Sequence, residues 1–96
     1  MKPNKPIQPL KYYIDSQHGW FYTTKEFRRL LKIDPTKISE YSYKSEDGDA
    51  VYMEEDSDGA YLFMAIKAAG LAVQIEEIDC GDLAWIRKLP RYRTAK

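Results

Sequence analysis

The residues best suited to chemistry lie in Glu54-Glu55-Asp56-Ser57-Asp58-Gly59. Carboxylates at the first, third and fifth positions with glycine at the sixth match the opening of a calcium loop, where staggered oxygens surround one ion. Such a loop needs a bidentate glutamate at its twelfth position. Here that residue is Ala65, inside an apolar run, and no helix precedes Glu54, so no metal site is expected. The same acids suit the first turn of a helix, whose positive dipole end favours each by ~0.3–1 kcal/mol. They also suit an encounter with a basic partner, which charge accelerates and orients more than it tightens. Glu54, Glu55, Asp56 and Asp58 are therefore the expected partner-binding residues.

His18 is the only histidine. A side chain that titrates near neutrality can serve as an acid or base, but no Ser or Cys motif accompanies it. A turn residue bonded to backbone or solvent is the simpler expectation, although Glu54 or Asp56 on a neighbouring strand would make an acid-base pair possible. No catalytic residue, enzyme activity or cofactor is expected.

A second set of residues points to single-stranded nucleic acid. Eight of the 13 aromatic residues are Tyr, and many fall on segments that read as strands. Tyr12, Trp20 and Tyr22 on one exposed sheet face would stack bases, and Arg87, Lys88, Arg91 and Arg93 would hold phosphates. The glycine-aromatic signature of the common RNA-recognition strand is missing. Aromatic residues also fill cores, and the tail cations could instead fold back on the acidic middle of the chain, with Trp85 as the anchor.

The elements that must position these groups are few. Ninety-six residues make one domain with one modest core, which at this length buries about two thirds or less of the unfolded surface. The net charge is zero, yet residues 1–44 carry nine Lys/Arg against four Asp/Glu, residues 45–84 one against eleven, and residues 85–96 five against none. That layout bears on partners rather than on fold. The lone Cys80 forms no internal disulfide, no apolar run approaches the ~20 residues of a membrane span, and the first residues lack a signal-peptide core, so a cytoplasmic protein with no membrane contact is expected.

Pro3, Pro6 and Pro9 make residues 1–10 an extended N-terminal arm. Residues 11–92 form the folded domain and 93–96 a basic tail. Lys11–Ile14 and Trp20–Thr23 read as a hairpin around Asp15-Ser-Gln-His-Gly19, and Tyr41–Lys44 and Ala50–Glu54 as a second around Gly48. Thr23 or Thr24 caps a short helix running to Lys32, stopped by Asp34-Pro35, with one further turn over Pro35–Glu40. Ser57 or Asp58 caps a more apolar helix ended by Gly70. Leu71, Val73 and Ile75 alternate as a last strand, and Trp85, Ile86 and Leu89 suit a helix ahead of Pro90. The fold class is α+β: a single small domain in ββαββαβ order, its mainly antiparallel sheet packed against two helices.

Three motifs, Asp15-Ser-Gln-His18-Gly19-Trp20, Tyr41-Ser42-Tyr43 after Lys37-Ile38-Ser39, and Val51-Tyr52-Met53-Glu54-Glu55-Asp56 with Asp58, together resemble a family of small uncharacterised proteins of tailed phages and bacterial mobile elements. The resemblance covers about residues 11–92. Met53 stands where that pattern usually has Leu, and Ser57 where it usually has Cys, which weakens any thiol-based site. The resemblance implies a shared fold and a phage or mobile-element setting, and it transfers no catalytic residue. The expected function is non-enzymatic binding or regulation through protein contacts at an acidic surface, by a monomer or homodimer, with nucleic-acid binding as the alternative.

Overall fold

The computed structural model describes residues 7–81 and 85–92. Five strands, β1 (Ile7–Ile14), β2 (Gly19–Thr23), β3 (Tyr43–Lys44), β4 (Val51–Glu54) and β5 (Ala72–Asp79), form one sheet in the order β3-β4-β2-β1-β5. Helix α1 (Lys25–Leu30) follows β2, and α2 (Ser57–Ala68) lies between β4 and β5. Three of the four pairings are antiparallel, and β5 runs parallel to β1 over its full length. The domain is α+β in the expected order.

Each hairpin follows from its turn. The Asp15 carboxylate accepts the amides of Gln17 at 2.8 Å and His18 at 2.7 Å, which closes β1 onto β2 as an Asx turn does. The packing tolerates nothing larger than Gly19, because a Cβ there would run into the Tyr12 ring, which stacks on Phe21 at 4.4 Å. In the second hairpin Ser45 and Asp47 satisfy the amides of Ala50 and Asp49. That hairpin is shorter than expected, with Tyr41 and Ser42 preceding β3.

The N-terminal segment differs from the expected arm. Its last four residues, Ile7 to Leu10, already belong to β1, and residues 1–6 lie outside the described residues. Pro9 fits because β2 pairs with β1 only from Tyr12 onward. At Pro9 the side of β1 facing away from β5 has no partner strand to lose a hydrogen bond.

Helix α1 starts at Thr24, whose hydroxyl accepts the Phe27 amide at 3.1 Å, and stops at Leu31. Lys32, read from the sequence as its last residue, instead takes a left-handed φ of 57°. A single 3-10 turn, Pro35–Lys37, follows. Helix α2 ends as expected where Gly70 turns left-handed and its amide, with that of Leu71, returns to the last carbonyls. Its start departs from expectation. Neither Ser57 nor Asp58 caps it; Asp56 occupies the cap position without a side-chain bond, and Glu54 reaches forward from β4 to take the free amides.

Alternation along the strands sorts the core into two clusters on opposite faces of the sheet. On the helix face Leu10, Phe21, Val51 and Met53 meet Leu31, Ile38, Leu62 and Ile66, all buried. Burying a side chain such as Met53 or Leu62 stabilises by about 1.5–3 kcal/mol. On the other face Trp20, Tyr43 and Tyr52 surround Ile86, which is fully buried. The C-terminal segment lies over this aromatic face as a strap, with a 3-10 turn at Trp85–Lys88. Its backbone is tied to β3 and the residue before it by Lys44 N to Pro90 O at 2.9 Å and Tyr92 N to Ser42 O at 2.7 Å.

Candidate functional site: a cleft between the acidic turn and the strap

Because β2 lies between β1 and β4, the first hairpin turn and the start of α2 come together at one end of the sheet. The strap crosses that end and leaves a cleft of about 360 Å3 lined by His18, Trp20, Tyr41, Tyr43, Glu54, Asp56, Ser57, Arg87 and Arg91. Both arginines lie over rings, Arg87 at 5.3 Å from Trp20 and Arg91 at 5.3 Å from Tyr43, a placement that holds a guanidinium flat by cation–π attraction. Arg91 also donates to the Glu40 carbonyl at 3.1 Å. One wall thus carries carboxylates and the other guanidinium groups on an aromatic floor.

The acidic tract divides into residues that hold the fold and residues that face solvent. Glu54 accepts the amides of Asp56 and Asp58 at 2.9 Å and the Ser57 hydroxyl at 3.0 Å. Burial acts to raise its pKa, and those bonds outweigh burial, so the carboxylate sits lower than usual. Asp58 contradicts its expected role at the surface. It is 2% exposed and accepts the Ser39 amide at 2.9 Å, the Ser39 hydroxyl at 2.8 Å and the Ser42 hydroxyl. The reason is helical direction: the residue after Ser57 turns inward and meets the loop before β3. Glu55 is half-buried and accepts the Tyr12 hydroxyl, and Tyr12 is pushed well above its ordinary pKa by burial and by that bond. Asp56 is exposed, with no bonded partner for its carboxylate among the described residues. These positions also disperse the calcium-like pattern: Glu54 turns onto α2 and Asp58 onto the serines. Among the described residues no group of three or more His, Cys, Asp or Glu is placed to hold a metal.

Strand order does bring His18, Glu54 and Asp56 to one cleft. The Ser57 hydroxyl donates to Glu54, however, so no Ser–His pair forms, and Glu54 has both oxygens engaged. His18 stands beside Trp20 with ring centroids 6.4 Å apart.

The aromatic strands are present as expected but on different terms. Trp20 is 3% exposed beneath the strap, Tyr12 belongs to the opposite, helix-covered face, and Tyr22 is half-buried against Tyr52. The three expected base-stacking residues therefore do not share an open face. Of the expected phosphate contacts, Arg87 and Arg91 line the cleft, Lys88 is exposed on the strap, and Arg93 lies outside the described residues. Trp85 makes edge contacts with Tyr13 and Tyr52 yet is 46% exposed; the buried anchor is its neighbour Ile86.

The strap's cation finds its acid in the first hairpin rather than in the acidic middle of the chain. Arg87 Nε donates to Asp15 Oδ2 at 2.8 Å, and the Asp15 side chain is 2% exposed. That bond, with the Gln17 and His18 amides and against the effect of burial, holds the Asp15 carboxyl well below the usual range. A depressed carboxylate pKa contributes stability that is complete above the unfolded value, about 3.9, and is lost as pH falls through the folded value. Asp15→Asn is accordingly expected to melt a few degrees below the parent at pH 7, and the gap should close under strong acid. An equal gap at both extremes in a thermal melt would contradict this.

The sequence reading missed Glu77, which the parallel pairing of β5 sets opposite Tyr12 and beside Glu55. Nothing in local sequence signals that neighbour, because the β1–β5 register spans more than 60 residues of chain. Tyr41, read from the sequence as a strand aromatic, and Ser57, read as a helix cap, instead stand on the cleft wall. Compared with protein-family models, curated proteins and solved structures, the chain matches none.

Proposed function

We propose that this chain is a non-enzymatic binding protein that engages a partner protein at the acidic side of the cleft. The observation that carries the reading is the exposed Asp56, left facing the cleft after Glu54 and Asp58 have been consumed by the fold and Glu55 has bonded Tyr12 away from it. A cationic side chain of the partner would meet Asp56. A carbonyl or carboxylate of the same segment would meet Arg91, whose guanidinium has donors beyond its bond to Glu40. Opposite charges on facing walls select orientation as well as sign, which suits a regulatory contact more than a storage or scaffold role. The motif resemblance supports placing this factor in the cytoplasm of a bacterium carrying a phage or mobile element.

A binding role is favoured over catalysis because the groups that chemistry would need are already engaged: Ser57 donates to Glu54, and Glu54 caps α2. The charge reversal Asp56→Lys is expected to abolish capture of a specific protein from nuclease-treated bacterial lysate while circular dichroism stays unchanged. Undiminished capture by the folded variant refutes the proposal.

A further inference from the structure

At the other end of the strands the charge reverses. Helix α1 and the 3-10 turn after it carry Lys25, Arg28, Arg29, Lys32 and Lys37 against Glu26 and Asp34. Lys25, Arg28 and Arg29 line a second cleft of about 230 Å3, whose remaining wall is Ile33, Pro35, Ile38 and Tyr92. Among the described residues the one salt bridge is Arg87–Asp15, so none of these three cations is held by a carboxylate.

Arg28 is the informative member. It is half-buried and donates only to neutral oxygens: Nη1 to the Thr23 carbonyl at 2.8 Å and to Thr23 Oγ1 at 3.2 Å, and Nη2 to the Asp49 carbonyl at 3.1 Å. These three contacts fix the plane of the guanidinium and leave at least two of its five N–H donors over. Burial lowers its pKa, with Tyr92, Asp49 and Glu26 acting in the other direction from a distance. A partly desolvated charge without a counter-ion is costly, and an incoming anion relieves that cost. A rigid, planar donor set flanked by two exposed cations matches the oxygens of a phosphate, which arginine recognises by paired hydrogen bonds.

The apolar side of the cleft adds a second requirement. Its volume lies below the ~300–1,000 Å3 of sites that enclose a whole small ligand. It accommodates a phosphate and the first part of whatever the phosphate is esterified to, with Tyr92 and Ile33 against that body. We propose that this cleft binds a phosphate ester through Lys25, Arg28 and Arg29. The site is separate from the acidic cleft and does not depend on it. The same chemistry occurs in a free mononucleotide and in a nucleic-acid backbone, and the test distinguishes them.

The folded full chain would be titrated at low salt with inorganic pyrophosphate, adenosine monophosphate and a single-stranded thymidine 12-mer. The parent, Lys25→Gln/Arg29→Gln, and a control carrying Lys11→Gln/Lys67→Gln at exposed positions elsewhere would be compared. Arg28 is left intact because its bonds to Thr23 and Asp49 tie α1 to the sheet. The expected result is saturable binding of the monophosphate or the 12-mer, weakened at least about tenfold in the first variant and unchanged in the control, whereas binding of pyrophosphate alone overturns the ester. Preference for the monophosphate assigns a free ester. Binding of the 12-mer alone, with a salt slope reduced by about 1.4 in the variant, assigns a single strand's backbone. Absence of binding to every probe, or equal weakening in variant and control, overturns the proposal.

Discussion

Asp58→Ala is expected to lower the unfolding free energy by about 1–3 kcal/mol for each buried donor it leaves without its acceptor. The carboxylate is 2% exposed and gathers the Ser39 amide, the Ser39 hydroxyl and the Ser42 hydroxyl. Each hydrogen bond to a charged group contributes about 1.5–3 kcal/mol net, and contributions within one cluster do not simply add. The loss propagates, because the Ser42 hydroxyl also accepts the Glu54 amide at 2.9 Å and Glu54 in turn caps α2. A domain of this size is stable by about 5–15 kcal/mol, so the variant should stand near its unfolding threshold at 37 °C. Urea denaturation measures the change. A loss below about 1 kcal/mol would contradict the network's role.

Ile86→Ala is expected to cost about 2–5 kcal/mol, the usual range for truncating a fully buried isoleucine. The variant should also loosen the strap. Ile86 has no exposed surface and fills the space among Trp20, Tyr43 and Tyr52, so its removal leaves a void beneath the 3-10 turn. The polar ties at Pro90, Tyr92 and Arg87 remain and limit the opening. Tyr52 provides an independent readout. Burial, then the neighbouring Tyr13 and Tyr22, push its pKa up to about 12. In the variant its ionisation should move back toward 10, the ordinary tyrosine value, by ultraviolet titration. An unchanged titration together with unchanged stability would mean that the strap does not depend on Ile86.

The elements that could be read from the sequence are those whose signals are local. Asp15 and Gly19 mark the first hairpin, Thr24 caps α1, and Gly70 ends α2, each through a bond within a few residues. The run Val51-Tyr52-Met53 likewise reads as a strand. What escaped depends on contacts between distant segments. The parallel pairing of β5 with β1, the burial of Asp58 under Ser39 and Ser42, and the strap over Trp20 all join residues far apart in sequence. The acidic tract shows the difference most clearly. Four adjacent-looking carboxylates with similar helix-start propensity divide into three bonded within the fold, Glu54, Glu55 and Asp58, and one, Asp56, that faces outward, and only the packing of α2 and its start against β1 and the loop before β3 decides which. The candidate site was therefore half legible: Asp56 as an acidic residue, Arg87 and Arg91 as cations expected to meet phosphates, and the cleft that joins them not at all.

The most direct test of the proposed binding role is an NMR titration of isotope-labelled protein with an arginine-rich cationic peptide, repeated on Asp56→Lys. The account predicts saturable shifts concentrated on Asp56, Ser57, Tyr41 and the Trp20 indole, absent from the variant. Shifts that survive in the variant, or that spread evenly over every exposed carboxylate including Glu46 and Asp47, would contradict a specific acidic cleft.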